Sequence, residues 1–88
     1  MEKKINLKHI ELRECENVIC AVKMVGPGGR GEVAIVYNVN TRLYDVRRWV
    51  KIYGHEEHFF ESLPTTEYRK AIILYKDDYV PHVANICA

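Results

Sequence analysis

Eighty-eight residues, 48% of them hydrophobic and 28% charged with a net charge of +1, describe a folded chain with room for one hydrophobic core. The near-zero charge excludes a uniformly basic nucleic-acid coat and an acidic mimic of DNA, so any charge-driven partner must be met by a local patch. No run of eighteen apolar residues is present, so no membrane-spanning helix is expected.

Residues 5–15 read as a first strand. Ile5 and Leu7 share one parity, Ile10 and Leu12 the other, and a bulge near Lys8-His9 would reconcile them. The clearest unit follows at 18–39. Val18 to Val25 and Val33 to Val39 are rich in β-branched residues and flank Gly26-Pro27-Gly28-Gly29-Arg30-Gly31. An antiparallel hairpin is expected, with Val25 opposite Glu32, Met24 opposite Val33, Val22 opposite Ile35, Cys20 opposite Tyr37 and Val18 opposite Val39. Every Met24-to-Val18 pair is then apolar and buried, while the opposite face is half polar and left for solvent or a partner.

Residues 42–53 fit a helical wheel. Leu43, Val46, Trp49, Val50 and Tyr53 fall in one arc, Asn40 or Thr41 can cap it and Gly54 can stop it. The rival is a strand entered through a turn at Asn40-Thr41. His55 to Leu63 reads as further helical turns ended by Pro64. The apolar run Ala71 to Tyr75 and the segment Tyr79 to Ile86 suggest a hairpin turning at Lys76–Asp78, with Pro81 on an edge strand. The rival there is a helix from Thr66, because Tyr68, Ile72, Tyr75 and Tyr79 also keep helical spacing. The fold class is therefore α+β: one domain over residues 1–88, an antiparallel sheet of about four to five strands, with one or two helices inserted in the middle of the chain.

The glycine-rich segment lacks the Lys-Ser/Thr ending of a phosphate loop and joins two strands, which makes it a hairpin loop. His55-Glu56-Glu57-His58 places its histidines three apart, whereas a helical zinc-protease pair needs four. Ser62 with His58 one helical turn before it, and the adjacent carboxylates Asp77-Asp78 and Glu56-Glu57, are better read as surface groups than as catalytic pairs. No catalytic residue, metal or cofactor is assigned. Three cysteines cannot all pair within one chain, and with no apolar signal-peptide run at the start the expectation is reduced thiols in the cytoplasm. Cys20 is expected beneath the sheet beside Tyr37 and unreactive, and Cys15 and Cys87 accessible.

One charged constellation stands out. On a helix over 42–53, Arg47, Arg48 and Lys51 gather with Tyr44 among them. Arg42 lies close by, and Arg30 sits at the glycine loop. An acidic stretch at 56–61 follows at once and can balance it.

The function expected from these features is that of a small non-enzymatic binding protein acting through protein–protein contacts. Such a domain serves as an adaptor, subunit or inhibitor, of the kind viruses and phages also make. Six Tyr, Trp49, Phe59 and Phe60 supply the residue types that carry interface energy, and a homodimer through an unpaired strand edge is the simplest version. The alternative is a nucleic-acid-binding protein using Arg30, Arg42, Tyr44, Arg47, Arg48 and Lys51. A second alternative is a small enzyme or metalloprotein with convergent His and Cys residues.

Overall fold

The computed structural model describes residues 7–88. Four antiparallel strands, β1 (Glu16–Gly26), β2 (Gly29–Asn38), β3 (Leu43–Ile52) and β4 (His58–Thr65), form a meander in the order β1-β2-β3-β4. The chain then ends in one helix over 68–87: α1 (Tyr68–Leu74), a π-helical turn (Tyr75–Tyr79) and α2 (Val80–Cys87). The helix covers one face of the sheet, and residues 7–15 cover part of the other. The architecture is α+β as the sequence indicates, but the helix is C-terminal rather than inserted in the middle of the chain.

The 18–39 hairpin forms, with Val22 opposite Val33, Cys20 opposite Ile35 and Met24 opposite Gly31. The pairing is two residues from the expected register from Cys20 to Val25, so those side chains keep their face and change partner, whereas Val18, opposite Val36, changes face. The displacement comes from the glycines. Gly26 pairs with Gly29 across a two-residue turn at Pro27-Gly28, so Arg30 and Gly31 belong to β2 and not to a loop. A Cβ at Gly31 would overlap Cγ1 of Val83, and one at Gly26 would overlap the carbonyl of Cys87. Glycine thus lets the end of the helix lie directly on the hairpin. Beyond Cys20 the ladder is broken by a bulge between Val18 and Cys20.

Residues 42–53 form strand β3, not a helix. Both faces of the strand are covered: Val46 and Val50 join the core beneath the helix, while Trp49 joins Ile10, Ala34 and Val36 on the other side. A strand buried on both faces loses its alternation, and its apolar spacing of three and four then imitates a helical stripe. The turn before β3 is built by Asn38, whose Oδ1 accepts the N–H groups of Asn40 (2.9 Å) and Thr41 (3.0 Å). Arg42 closes it with φ of 60°.

The expected helical turns at 55–63 are replaced by β4, which carries Pro64 at the sheet edge, where a missing N–H is tolerated. The expected hairpin at 71–86 is replaced by the helix. Ala71, Tyr79, Val83 and Cys87 are buried and Tyr75 packs against them. These five residues recur every four positions. In a straight α-helix a spacing of four drifts by about 40° per step. The wider π turn takes up part of that drift, with the N–H of Val80 reaching back to the carbonyl of Tyr75. Pro81 follows immediately, where a regular helix would press its ring on the preceding turn.

The expected first strand is not formed by the described part of 5–15; Ile5 lies outside the described residues. Residues 7–15 are irregular and run across β1 and β2. Ile10 is buried on Ala34, Val36 and Trp49. The half-polar face of the hairpin is therefore partly covered by the chain's own N-terminal segment, over Ala21, Ala34 and Val36, while Val25 stays 79% exposed.

Candidate functional site

Residues on β2, β3 and β4 that point away from the helix form the floor of an open trough of about 1200 Å³. The N-terminal segment is one wall, contributing Lys8, His9 and Arg13. Two buried carboxylates hold that wall in place. Glu32, 3% exposed, accepts the backbone N–H groups of Lys8 (2.8 Å), His9 (3.0 Å) and Ile10 (3.0 Å). Burial alone would raise its pKa, but the three donors outweigh burial and hold the carboxyl below its ordinary value. Glu16 accepts the N–H of Arg13 at 2.9 Å and is ion-paired with Arg47. The Arg47 hydrogen bond, chiefly, lowers its pKa against a smaller opposing effect of burial.

Arg47 also pairs with Asp45 at 2.9 Å and donates to the carbonyl of Glu11 at 3.1 Å. It is a strut between β3, β1 and the N-terminal segment. On the other side of the sheet, Arg48 lies over the ring of Tyr79 at 4.5 Å, meets Glu61 at 2.8 Å and approaches Nδ1 of His82 at 2.8 Å. Tyr44 shares that face, between Tyr37 and Tyr68.

Because 42–53 is a strand, the cluster of Arg47, Arg48, Lys51 and Tyr44 is divided between two faces. Arg47 and Lys51 point into the trough, while Tyr44 and Arg48 point to the helix. Arg42 stands exposed at the turn before β3. Arg30 and Lys51 are brought together, directly opposite each other on β2 and β3. His58 is opposite Lys51 on β4, which makes an unbroken row of three basic side chains. The next row holds Phe60 opposite Trp49, with His9 stacked on the indole at 3.6 Å. The sequence reading missed His58 and Phe60 as neighbours of Lys51, because a helical wheel cannot show cross-strand pairs.

Among the described residues, no group of three or more His, Cys, Asp or Glu side chains is placed to hold a metal ion. Cys20 packs toward Tyr75, and burial raises both groups, the Tyr75 phenol to about 12. Cys87 is buried rather than accessible, because the last turn of the helix rests on the first hairpin.

The second surface of note is strand β4. It is exposed from His58 to Pro64 and has a neighbour on one side only. Phe59 and Leu63 on the helix side, and Phe60 on the trough side, are each about half exposed. Comparison with protein-family models, curated proteins and solved structures finds no match to this chain.

Proposed function

We propose that this chain is a non-enzymatic binding protein that works through protein–protein contact at the β4 edge, with a second copy of itself as the occupant. The observation that carries this reading is the open edge of β4, flanked by the half-exposed Phe59, Phe60 and Leu63. An unprotected edge with apolar side chains on both faces is a template for another strand. Pro64 lies within β4 opposite Asp45 and has no N–H to give to β3. Residues of its parity, Phe60 and Ser62, therefore turn their N–H groups to the open edge.

A second β4 running antiparallel about Phe60 offers the same groups in return, as a two-fold interface requires. The register is free of like-charge conflict. Phe60 meets its own copy, His58 meets Ser62, and the one carboxylate of the strand, Glu61, is already engaged by Arg48. Sedimentation of the intact chain tests the reading. A dimer of the 10.3 kDa chain is expected at micromolar concentration. Ser62→Pro, which removes an outward N–H and leaves the β3 ladder intact, should give a folded monomer. A wild-type monomer, or a dimer that survives Ser62→Pro, would overturn the proposal.

A further inference from the structure

The row Arg30–Lys51–His58 sets basic side chains directly opposite one another across three strands. Like charges in such positions repel and destabilise a sheet unless something neutralises them. Among the described residues, neither Arg30 nor Lys51 forms an ion pair. Arg30 lies over the Trp49 ring at 5.9 Å, and Lys51 donates to the carbonyl of His55. The nearby carboxylates are committed elsewhere: Glu32 to three backbone N–H groups, and Glu16 and Asp45 to Arg47. Over the charged groups that line the trough, Lys8, Arg13, Arg30, Arg47 and Lys51 stand against Glu11, Glu16, Asp45 and Glu56, which leaves one positive charge in excess beside the Arg30–Lys51 pair.

The neighbouring row supplies an aromatic surface. Trp49 is covered on one face by His9, but Phe60 beside it is half exposed into the same trough. Successive rows on one face of a sheet lie about 7 Å apart, which is on the scale of the separation between phosphate and base within a nucleotide. A cationic row beside an exposed ring is the combination that engages a nucleotide by phosphate contact and base stacking.

We propose that the trough binds single-stranded nucleic acid, with Arg30, Lys51 and His58 on a phosphate and Phe60 stacking on the adjoining base. This site shares the side chains of His58 and Phe60 with the β4 edge used for self-association, and it remains in place in the Ser62→Pro monomer. Binding is therefore measured in both backgrounds, so that loss of the dimer and loss of the site are read independently.

Trp49 is the only tryptophan, so its fluorescence reports on the trough. An eight-nucleotide oligothymidylate titrated at low salt should change the emission. Its association constant should fall with added salt at a log–log slope of about −1.4, as the two cations Arg30 and Lys51 predict for a single strand. Lys51→Glu should weaken binding at least about tenfold, and Phe60→Ala, which leaves the cations in place, about fivefold or more. Arg30→Gln, at an exposed position, replaces Lys51→Glu if that variant does not fold.

Thymidine monophosphate is the second arm. Equal affinity for it would identify a free nucleotide as the source of the same chemistry, and weaker affinity identifies the strand. A mixed-sequence duplex should bind more weakly than the single strand. The proposal is overturned if neither thymidine ligand binds, if the cation and Phe60 substitutions leave affinity unchanged, or if the duplex binds as tightly.

Discussion

Glu32 shows how one buried carboxylate can organise a segment with no regular structure of its own. Its three backbone donors belong to consecutive residues, Lys8, His9 and Ile10, so the side chain fixes the wall of the trough at the point where Ile10 enters the core. Its folded pKa lies below the unfolded value, so its stabilisation is present above the ordinary carboxylate pKa of about 4.3 and is lost as pH falls through the lower folded value. Glu32→Gln should cost about 2 kcal/mol at neutral pH, the scale of hydrogen bonds to a charged group. The gap to wild type in urea melts should close as pH falls below about 4, whereas a gap independent of pH would deny Glu32 this role. The cysteines provide a second test at this scale. Cys20 and Cys87 are held in the thiol form by burial, while Cys15 lies part-exposed in the turn before β1. Alkylation of the native protein should modify Cys15 first; Cys87 reacting as fast would mean that the end of the helix does not rest on the hairpin.

The helix and the first hairpin are fitted to each other through glycine. Gly31→Ala would drive a methyl group into Cγ1 of Val83, and a cost of about 1–3 kcal/mol is expected for such overpacking. In a Val83→Ala background the same substitution should cost markedly less, since the colliding methyl is gone; strict additivity in a double-mutant cycle would contradict the contact. This contact also marks where the sequence was legible and where it was not. The β-branched runs of β1 and β2, and which of their side chains share a face, could be read from alternation. The register could not, because Gly29 and Gly31 signal a loop locally, and only distant partners, Lys51 and Ile52 of β3 against Gly29 and Val83 of the helix against Gly31, give them a place in a strand. Trp49 and Val50 are adjacent and both buried on opposite faces, so β3 offered a helical spacing and no alternation. For the helix at 68–87, the short apolar run Ala71 to Tyr75 favoured a hairpin that had to place Pro81 on an edge strand, while the spacing of Tyr68, Ile72, Tyr75 and Tyr79 pointed to the helix that forms. The period-four stripe from Ala71 to Cys87 becomes visible only when the π turn is allowed. The candidate site followed the same logic. Arg30 and Lys51 were identified from charge alone, whereas His58 and Phe60 join them only through the β3–β4 pairing.

At the scale of the whole molecule, a four-stranded meander has two edges, and they are treated differently. β1 is interrupted by a bulge between Val18 and Cys20, a device that blunts an edge. β4 has Pro64 near its end and continuous pairing with β3 over His58–Thr65, so its outer side from His58 to Ser62 remains regular and open. Joining two copies there would extend the sheet to eight strands with both helices on one side and both troughs on the other. Phe59→Asp or Leu63→Asp, on the helix side of that edge, should each weaken association at least about tenfold, as loss of a buried apolar contact does, without changing Trp49 emission. Sedimentation of these variants at matched concentration checks it. The claim is tested most directly by filtered NMR spectroscopy on a sample mixing labelled and unlabelled chains. The account predicts intermolecular contacts between the Phe60 rings of two copies and between His58 and Ser62. Intermolecular contacts to β1 or to the helix in their place, or none at all, would contradict it.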